Sequence, residues 1–296
     1  MKKFKLGEFE RNSAIVFAVS MLANVVTYLY QIVMGNLLSP ADYGTINTLL
    51  SLSIVIGVPS GIISTLVATY TAKYQAVGKP ELIGGFMHKM LRASVLLACV
   101  VFAAGAALSS IIANVLQIEE TRYILATMVV VAFSCVAPVF SCTLQGVKRF
   151  VPYSINGVLN IAIRLLLSIP FVRMGFGIGG NLAAVILAAF ATAAFCFWCA
   201  RDLFFAPKIE QLHLDRTEIR RYFVSTFWFQ LFLLLMANGD VLLIKTFAAD
   251  PAEVGIYSSG SVIGKISLYL ANAIVPVLLP MVAERQSTGH DTRQLL

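Results

Sequence analysis

The chain has 296 residues, of which 58% are hydrophobic and only 12% charged, with a mean hydropathy of +0.83. A soluble domain carries about 25% charged residues, so the composition excludes a water-soluble globular protein and describes an integral membrane protein. The net charge of +7 is therefore read as a topology signal rather than as a nucleic-acid surface, and no nucleic acid is expected as a partner.

Eight apolar runs of spanning length follow one another at roughly 13–34, 45–72, 91–113, 122–147, 151–173, 178–200, 223–248 and 255–283. They predict an all-α fold, a polytopic membrane helix bundle. The opening Met1-Lys2-Lys3-Phe4-Lys5 is like the start of a signal peptide, but the apolar run behind it is long, holds Asn24 and Gln31, and ends without a small-residue cleavage site. It reads as an uncleaved first span. With the N-terminus in the cytoplasm, seventeen of the 22 Lys and Arg fall inside, only Arg122 and Arg173 fall outside, and Arg164, Lys245 and Lys265 remain within spans. That asymmetry predicts a multi-pass membrane protein with its N-terminus in the cytoplasm.

The longer links are 73–90 and 201–222. The second mixes charge with Leu203, Phe204, Phe205, Ile209, Leu212, Leu214 and Ile219, so it reads either as an interfacial amphipathic helix or as a plain connector. Trp198 before it suits an interfacial anchor.

The link after the first span reads Ser39-Pro40-Ala41-Asp42-Tyr43-Gly44, and the link after the seventh reads Asp250-Pro251-Ala252-Glu253-Val254-Gly255. Each has a capping residue, Pro at the first helical position and an acid at the third, which is a well-formed helix start. Recurring on the same face six helices apart, the two are read as an internal parallel repeat, with two independent helix starts as the competing reading. The expected domains are a six-helix transmembrane lobe over 1–200, a cytoplasmic linker over 201–222, and, over 223–296, the first hairpin of an incomplete second lobe with a cytoplasmic tail.

Polar stripes cross the apolar runs. Span five carries Tyr153, then Asn156, Asn160, Arg164 and Ser168 at intervals of four, on one helix face. Span one carries Ser20, Asn24, Thr27, Tyr28 and Gln31. Amide stripes often serve only helix–helix hydrogen bonding, at about 0.6–2 kcal/mol each, but Arg164 sits too near mid-depth to snorkel comfortably. Asn238, Asp240 and Lys245 lie in span seven and Lys265 in span eight. Folding the two spans back at the 248–255 turn puts Asp240 and Lys265 at nearly equal depth, so they are expected to pair, with Lys245 near the outer end and free to snorkel. A pair that merely fixes helix rotation is the competing reading.

Gly57, Pro59 and Gly61 interrupt span two, Pro138 span four, and Pro276 and Pro280 span eight, as suits helices that bend. The five cysteines lie in apolar runs, and Cys196-x-x-Cys199 has no His or further Cys near it, so packing is expected rather than a metal or redox site.

Three segments resemble bacterial polysaccharide and oligosaccharide-lipid flippases of the multidrug/oligosaccharidyl-lipid/polysaccharide exporter superfamily. They are Leu37-Leu38-Ser39-Pro40-Ala41-Asp42-Tyr43-Gly44, Asn238-x-Asp240 followed by Val254-Gly255-x-Tyr257, and Gln145-Gly146-x-x-Arg149-Phe150. The resemblance implies two six-helix lobes in a V around a cavity that opens alternately to each side. It also implies an anionic substrate, an undecaprenyl-pyrophosphate-linked oligosaccharide repeat unit, and no cofactor, metal or catalytic residue. The residues matched to that logic are Arg164, Lys265, Lys245, Asn156, Asn160, Asn24 and Gln31 as cavity contacts, and Asp240 with Asn238 for ion coupling or charge pairing. Membrane lipid, a coupling H+ or Na+, a polysaccharide polymerase and glycosyltransferases are the implied partners.

Three other readings compete with this one. A multidrug extruder on the same fold needs net acid in its cavity, against three bases and one acid here. A membrane-embedded sugar transferase or ligase needs acid/base residues or a metal site at a membrane face, where the outer loops offer only Asp42, Glu119, Glu120, Asp250 and Glu253, two of them helix-start residues, and no His. A non-transporting subunit of an assembly complex is consistent with the incomplete second lobe.

Overall fold

A computed structural model describes the backbone of residues 6–76, 78, 81–205 and 216–265, and the side chains within 18–76, 78, 81–205 and 223–265. The chain is all-helical over these residues: α1 (Leu6–Leu37), α2 (Pro40–Ile56), α3 (Val58–Ala76), α4 (Glu81–Ala107), α5 (Ser109–Val115), α6 (Thr121–Gly146), α7 (Phe150–Phe171), α8 (Gly177–Phe204), α9 (Arg216–Phe247) and α10 (Pro251–Gly264). The apolar runs reappear as helices, several of them longer than the runs themselves, and the eighth is described only as far as residue 265. Helix continues past the apolar stretch wherever the backbone can stay bonded, so α1 begins at Leu6, α4 at Glu81 inside the expected 73–90 link, and α9 at Arg216 inside the expected 201–222 link. Residues 216–222 therefore extend span seven instead of forming a separate interfacial helix, while 206–215 lie outside the described residues, as do Pro276 and Pro280.

Span two is α2 plus α3, bent by 50° at Gly57. There the Gly57 N–H bonds back to the Ser53 carbonyl, and Pro59 follows in the first turn of α3. From Phe150 to Phe204 the chain is helical for 55 residues, about 80 Å if straight, against a bilayer core of about 30 Å. It is two spans, because a π-helical turn (Val172–Phe176) with Gly175 at φ 89° and Gly177 at φ 47° reverses the chain, and α7 packs on α8. Positive φ at those two positions is what only glycine adopts without strain.

At the centre, α6 packs against α3, α4 and α8, while α7 packs between α1 and α8. Cys135, Cys142 and Cys196 are buried in these seams, Cys196 beside Phe140 and Leu144. The α9–α10 hairpin docks on α2 and α3.

The two helix starts are built alike. The Asp42 N–H donates to Ser39 Oγ at 3.1 Å, and the Ala252 N–H donates to Asp250 Oδ1 at 2.8 Å. Each is followed by proline at the first helical position. They also meet. A Cβ on Gly44 would lie 2.7 Å from the Gly255 nitrogen, and one on Gly255 would overlap the Pro40 carbonyl oxygen. The two turns thus meet backbone on backbone at one end of the molecule. The Gln145–Phe150 motif has a structural role at the opposite end. A Cβ on Gly146 would lie 2.9 Å from the Ala68 carbonyl oxygen, so glycine lets α6 cross α3 closely. Arg149 forks onto the Asp202 carboxylate and also donates to the Cys199 carbonyl at 2.9 Å, tying the α6–α7 turn to the end of α8.

Candidate functional site

The span-five stripe lies on the inner face of α7. Asn156, Asn160 and Arg164 all line a central cavity of about 750 Å³, and Asn160 Nδ2 donates to Thr192 Oγ1 of α8 at 3.2 Å. Across the cavity, α1 contributes Thr27 and Gln31, α2 Asn47 and Ser51, α9 Gln230 and Asn238, and α10 Lys265. Its described lining includes two cations, Arg164 and Lys265, and no carboxylate.

Arg164 sits about one turn beyond the midpoint of α7. Its guanidinium lies over the Tyr30 ring at 4.0 Å, a cation–π contact. Tyr30 is in turn fixed: it is 1% exposed, and Asn181, fully buried on α8, donates Nδ2 to its hydroxyl at 2.7 Å. The same amide lies 3.3 Å from Ser168 Oγ, so the last member of the stripe belongs to this support, not to the cavity wall. Held this way, Arg164 keeps Nε and Nη2 buried with no hydrogen-bond partner among the described residues. Asn156 Oδ1 is likewise unpartnered. Buried guanidinium donors left open cost free energy unless a ligand takes them, and an oxyanion presenting two oxygens fits their fork. Gln31 is oriented by Tyr43, whose hydroxyl donates to Gln31 Oε1 at 3.1 Å.

The expected Asp240–Lys265 pair does not form. Lys265 Nζ donates to Asn238 Oδ1 at 3.2 Å, while Asp240 Oδ2 accepts from Tyr257 at 3.0 Å and from Ser261 at 3.1 Å. The hairpin meets about half a turn out of the expected phase, which puts Asn238 opposite Lys265 and turns Asp240 toward the hydroxyls of α10. Lys245 does not snorkel outward and does not line the cavity. It is 4% exposed and donates to Thr45 Oγ1 at 3.3 Å, because α9 packs on α2 there. Asn24 lies on α1 but lines neither cavity.

Sequence reasoning did not find Gln230, Asn47, Tyr30 or Asn181. Gln230 packs on Gly61, where a Cβ would lie 2.6 Å from its Oε1, so the glycine at the span-two interruption was the available signal.

A second cavity of about 520 Å³ adjoins the first, and Asn156 and Gly157 line both. It lies between the early half of α1, the later parts of α3 and α6, and the start of α7. Among the described residues, no group of three or more His, Cys, Asp or Glu is arranged to hold a metal ion.

A family model described as polysaccharide biosynthesis protein matches residues 9–286. Comparison with curated protein sequences finds no match. Among solved structures, the chain is similar to a MATE protein in complex with Br-NRF, at TM-score 0.68 and 15% identity over 93% of this chain and 67% of that one. It is similar to an inward-facing multidrug resistance MATE family transporter of the MOP superfamily, at TM-score 0.59 and 15% identity over 92% and 61%. It is also similar to a MOP superfamily transporter from Pyrococcus furiosus, at TM-score 0.57 and 15% identity over 94% and 70%. That last protein is described as having a binding pocket of reverse polarity that suggests a different function. The chain therefore shares the MATE-like fold and spans about three fifths to seven tenths of these transporters' length.

Proposed function

The chain belongs to the polysaccharide biosynthesis protein family, and from that premise we propose that it moves an anionic lipid-linked oligosaccharide, of the undecaprenyl-pyrophosphate type, across the cytoplasmic membrane by alternating access. Family and fold point to a membrane exporter rather than an enzyme. The observation that carries the substrate charge is the cavity's described lining, two cations and no carboxylate, with buried guanidinium donors on Arg164 that no described residue takes. Arg164 takes two pyrophosphate oxygens, and Lys265, held by Asn238, adds a mobile point charge on the facing hairpin. Asn156, Asn160 and Gln31 supply neutral hydrogen bonds around them.

The positive-inside asymmetry supports an N-terminus in the cytoplasm. The Gly44–Gly255 contact then closes the outer end, and the conformation is closed outward. On this reading α1–α8 form one lobe, with α9 and α10 opening a second. A cation extruder on the same fold would need acid in the cavity, and Asp240 faces Tyr257 and Ser261 instead.

Replacing Arg164 by Ala should abolish surface polysaccharide while the protein stays in the membrane at normal amount. Undiminished export by that variant sinks the assignment of the cavity to the pyrophosphate.

A further inference from the structure

The smaller cavity differs in chemistry from the one it adjoins. Its described lining has no charged side chain. It is lined by Ser20, Thr69, Ser141 and Ser154, by Gln145 and by Tyr153. Ser154 is 9% exposed, and its buried Oγ has no hydrogen-bond partner among the described residues; Asn156 Oδ1, at the junction, has none either. Uncharged hydroxyl and amide groups beside an aromatic ring suit a ligand that itself carries hydroxyls or amides on a partly apolar frame. They offer nothing to a phosphate beyond what Arg164 already gives.

The junction between the cavities is kept open by Gly157. A Cβ there would meet nothing within 4 Å, although the residue sits in mid-helix on the same stripe as the site residues. Glycine inside a helix costs roughly 0.5–1 kcal/mol relative to alanine, and no close approach of a neighbouring helix accounts for it here. What the missing side chain preserves is passage between a charged chamber and a neutral one.

We propose that the smaller cavity is a sugar subsite, which binds the uncharged sugar residue attached directly to the pyrophosphate while Arg164 and Lys265 hold the pyrophosphate itself. This rests on the flippase reading above. It adds that selectivity for the carried sugar resides in α3, α6 and the first half of α7, apart from the cationic residues. Gln145 and Ser154 hydrogen-bond the sugar, Tyr153 packs on its apolar face, and Asn156 at the junction bridges sugar and phosphate.

The test measures binding of four probes to the purified full chain in detergent: undecaprenyl pyrophosphate alone, and the same lipid bearing one glucose, one galactose or one N-acetylglucosamine. The wild type should bind at least one glycosylated lipid roughly tenfold or more tightly than the bare one, the scale expected when hydroxyl-binding groups find their partners. A Gln145→Leu/Ser154→Ala double variant should lose that preference and bind bare undecaprenyl pyrophosphate as before. Gly157→Leu, which has open space to enter and gains helix propensity, should fold normally and bind the preferred glycosylated lipid no better than the bare one. Equal wild-type binding of all four lipids, or a preference that survives in both variants, overturns the sugar subsite. Failure of every lipid to bind, or bare-lipid binding untouched by Arg164→Ala, overturns the flippase reading instead.

Discussion

Gly255→Ala is a direct probe of the closed end. One added methyl group would overlap the Pro40 carbonyl oxygen and sit 2.6 Å from its carbon, whereas ordinary carbon contacts lie at about 3.5–4.0 Å. The obstacle is backbone, so no side chain can rotate away, and α10 must part from α2 by roughly 1 Å. Overpacking of this kind costs about 1–3 kcal/mol. The gain in helix propensity from Gly to Ala applies equally whether the end is open or closed, so it cancels from the opening equilibrium. At about 1.4 kcal/mol per factor of ten, the closed form should lose roughly five- to 150-fold in relative population. The assay is labelling of a single cysteine at Gln31, in a background lacking the five native cysteines, by a membrane-impermeant maleimide added outside intact cells. Gly255→Ala should speed labelling at least fivefold, and Gly260→Ala, on the same helix with nothing within 4 Å of its Cβ, should not. An unchanged rate in a folded Gly255→Ala protein refutes the closed end. Faster labelling only from the cytoplasmic side refutes the orientation.

Lys245→Met should raise thermal stability in detergent by about 1–3 kcal/mol, because the lysine is buried against a single hydroxyl and methionine fills similar volume without a charge to desolvate; a lower melting temperature would contradict that. Tyr30→Phe should cost about 1 kcal/mol through loss of the Asn181 hydrogen bond yet keep export, whereas Tyr30→Leu removes the ring beneath Arg164 and should lose it. If both variants export alike, the ring does not position the guanidinium. Arg149→Ala should lower stability by about 1 kcal/mol, since both partners are part exposed, at 40% and 53%, and screening limits the pair; equal melting temperatures would assign the fork no stabilising role.

The helix bundle was legible because bilayer thickness imposes a length on apolar runs, and the α7 stripe because a period of four needs no knowledge of neighbours. The hairpin was legible to within two residues: its turn fixed depth, but helix phase decided that Asn238 rather than Asp240 meets Lys265. Lys245 was misjudged for a different reason. Near a span end, the same residue faces headgroups or a neighbouring helix depending on how α9 docks on α2, and docking is written in no local pattern. Gln230 is a single polar residue in an apolar stretch and Asn47 one of several polar residues early in α2, and only the fold brings the two to one cavity.

The meeting of the Pro40 turn with the Pro251 turn has the form of an isologous contact, in which a surface element binds its own duplicate slightly off register. The two turns differ at Ser39 and Asp250, at Asp42 and Glu253 and at Tyr43 and Val254. What neither copy can give up is the glycine, since a side chain gained on either turn is met by the other's main chain. A change on either glycine is therefore felt by the other turn, so two positions more than 200 residues apart in sequence constrain each other.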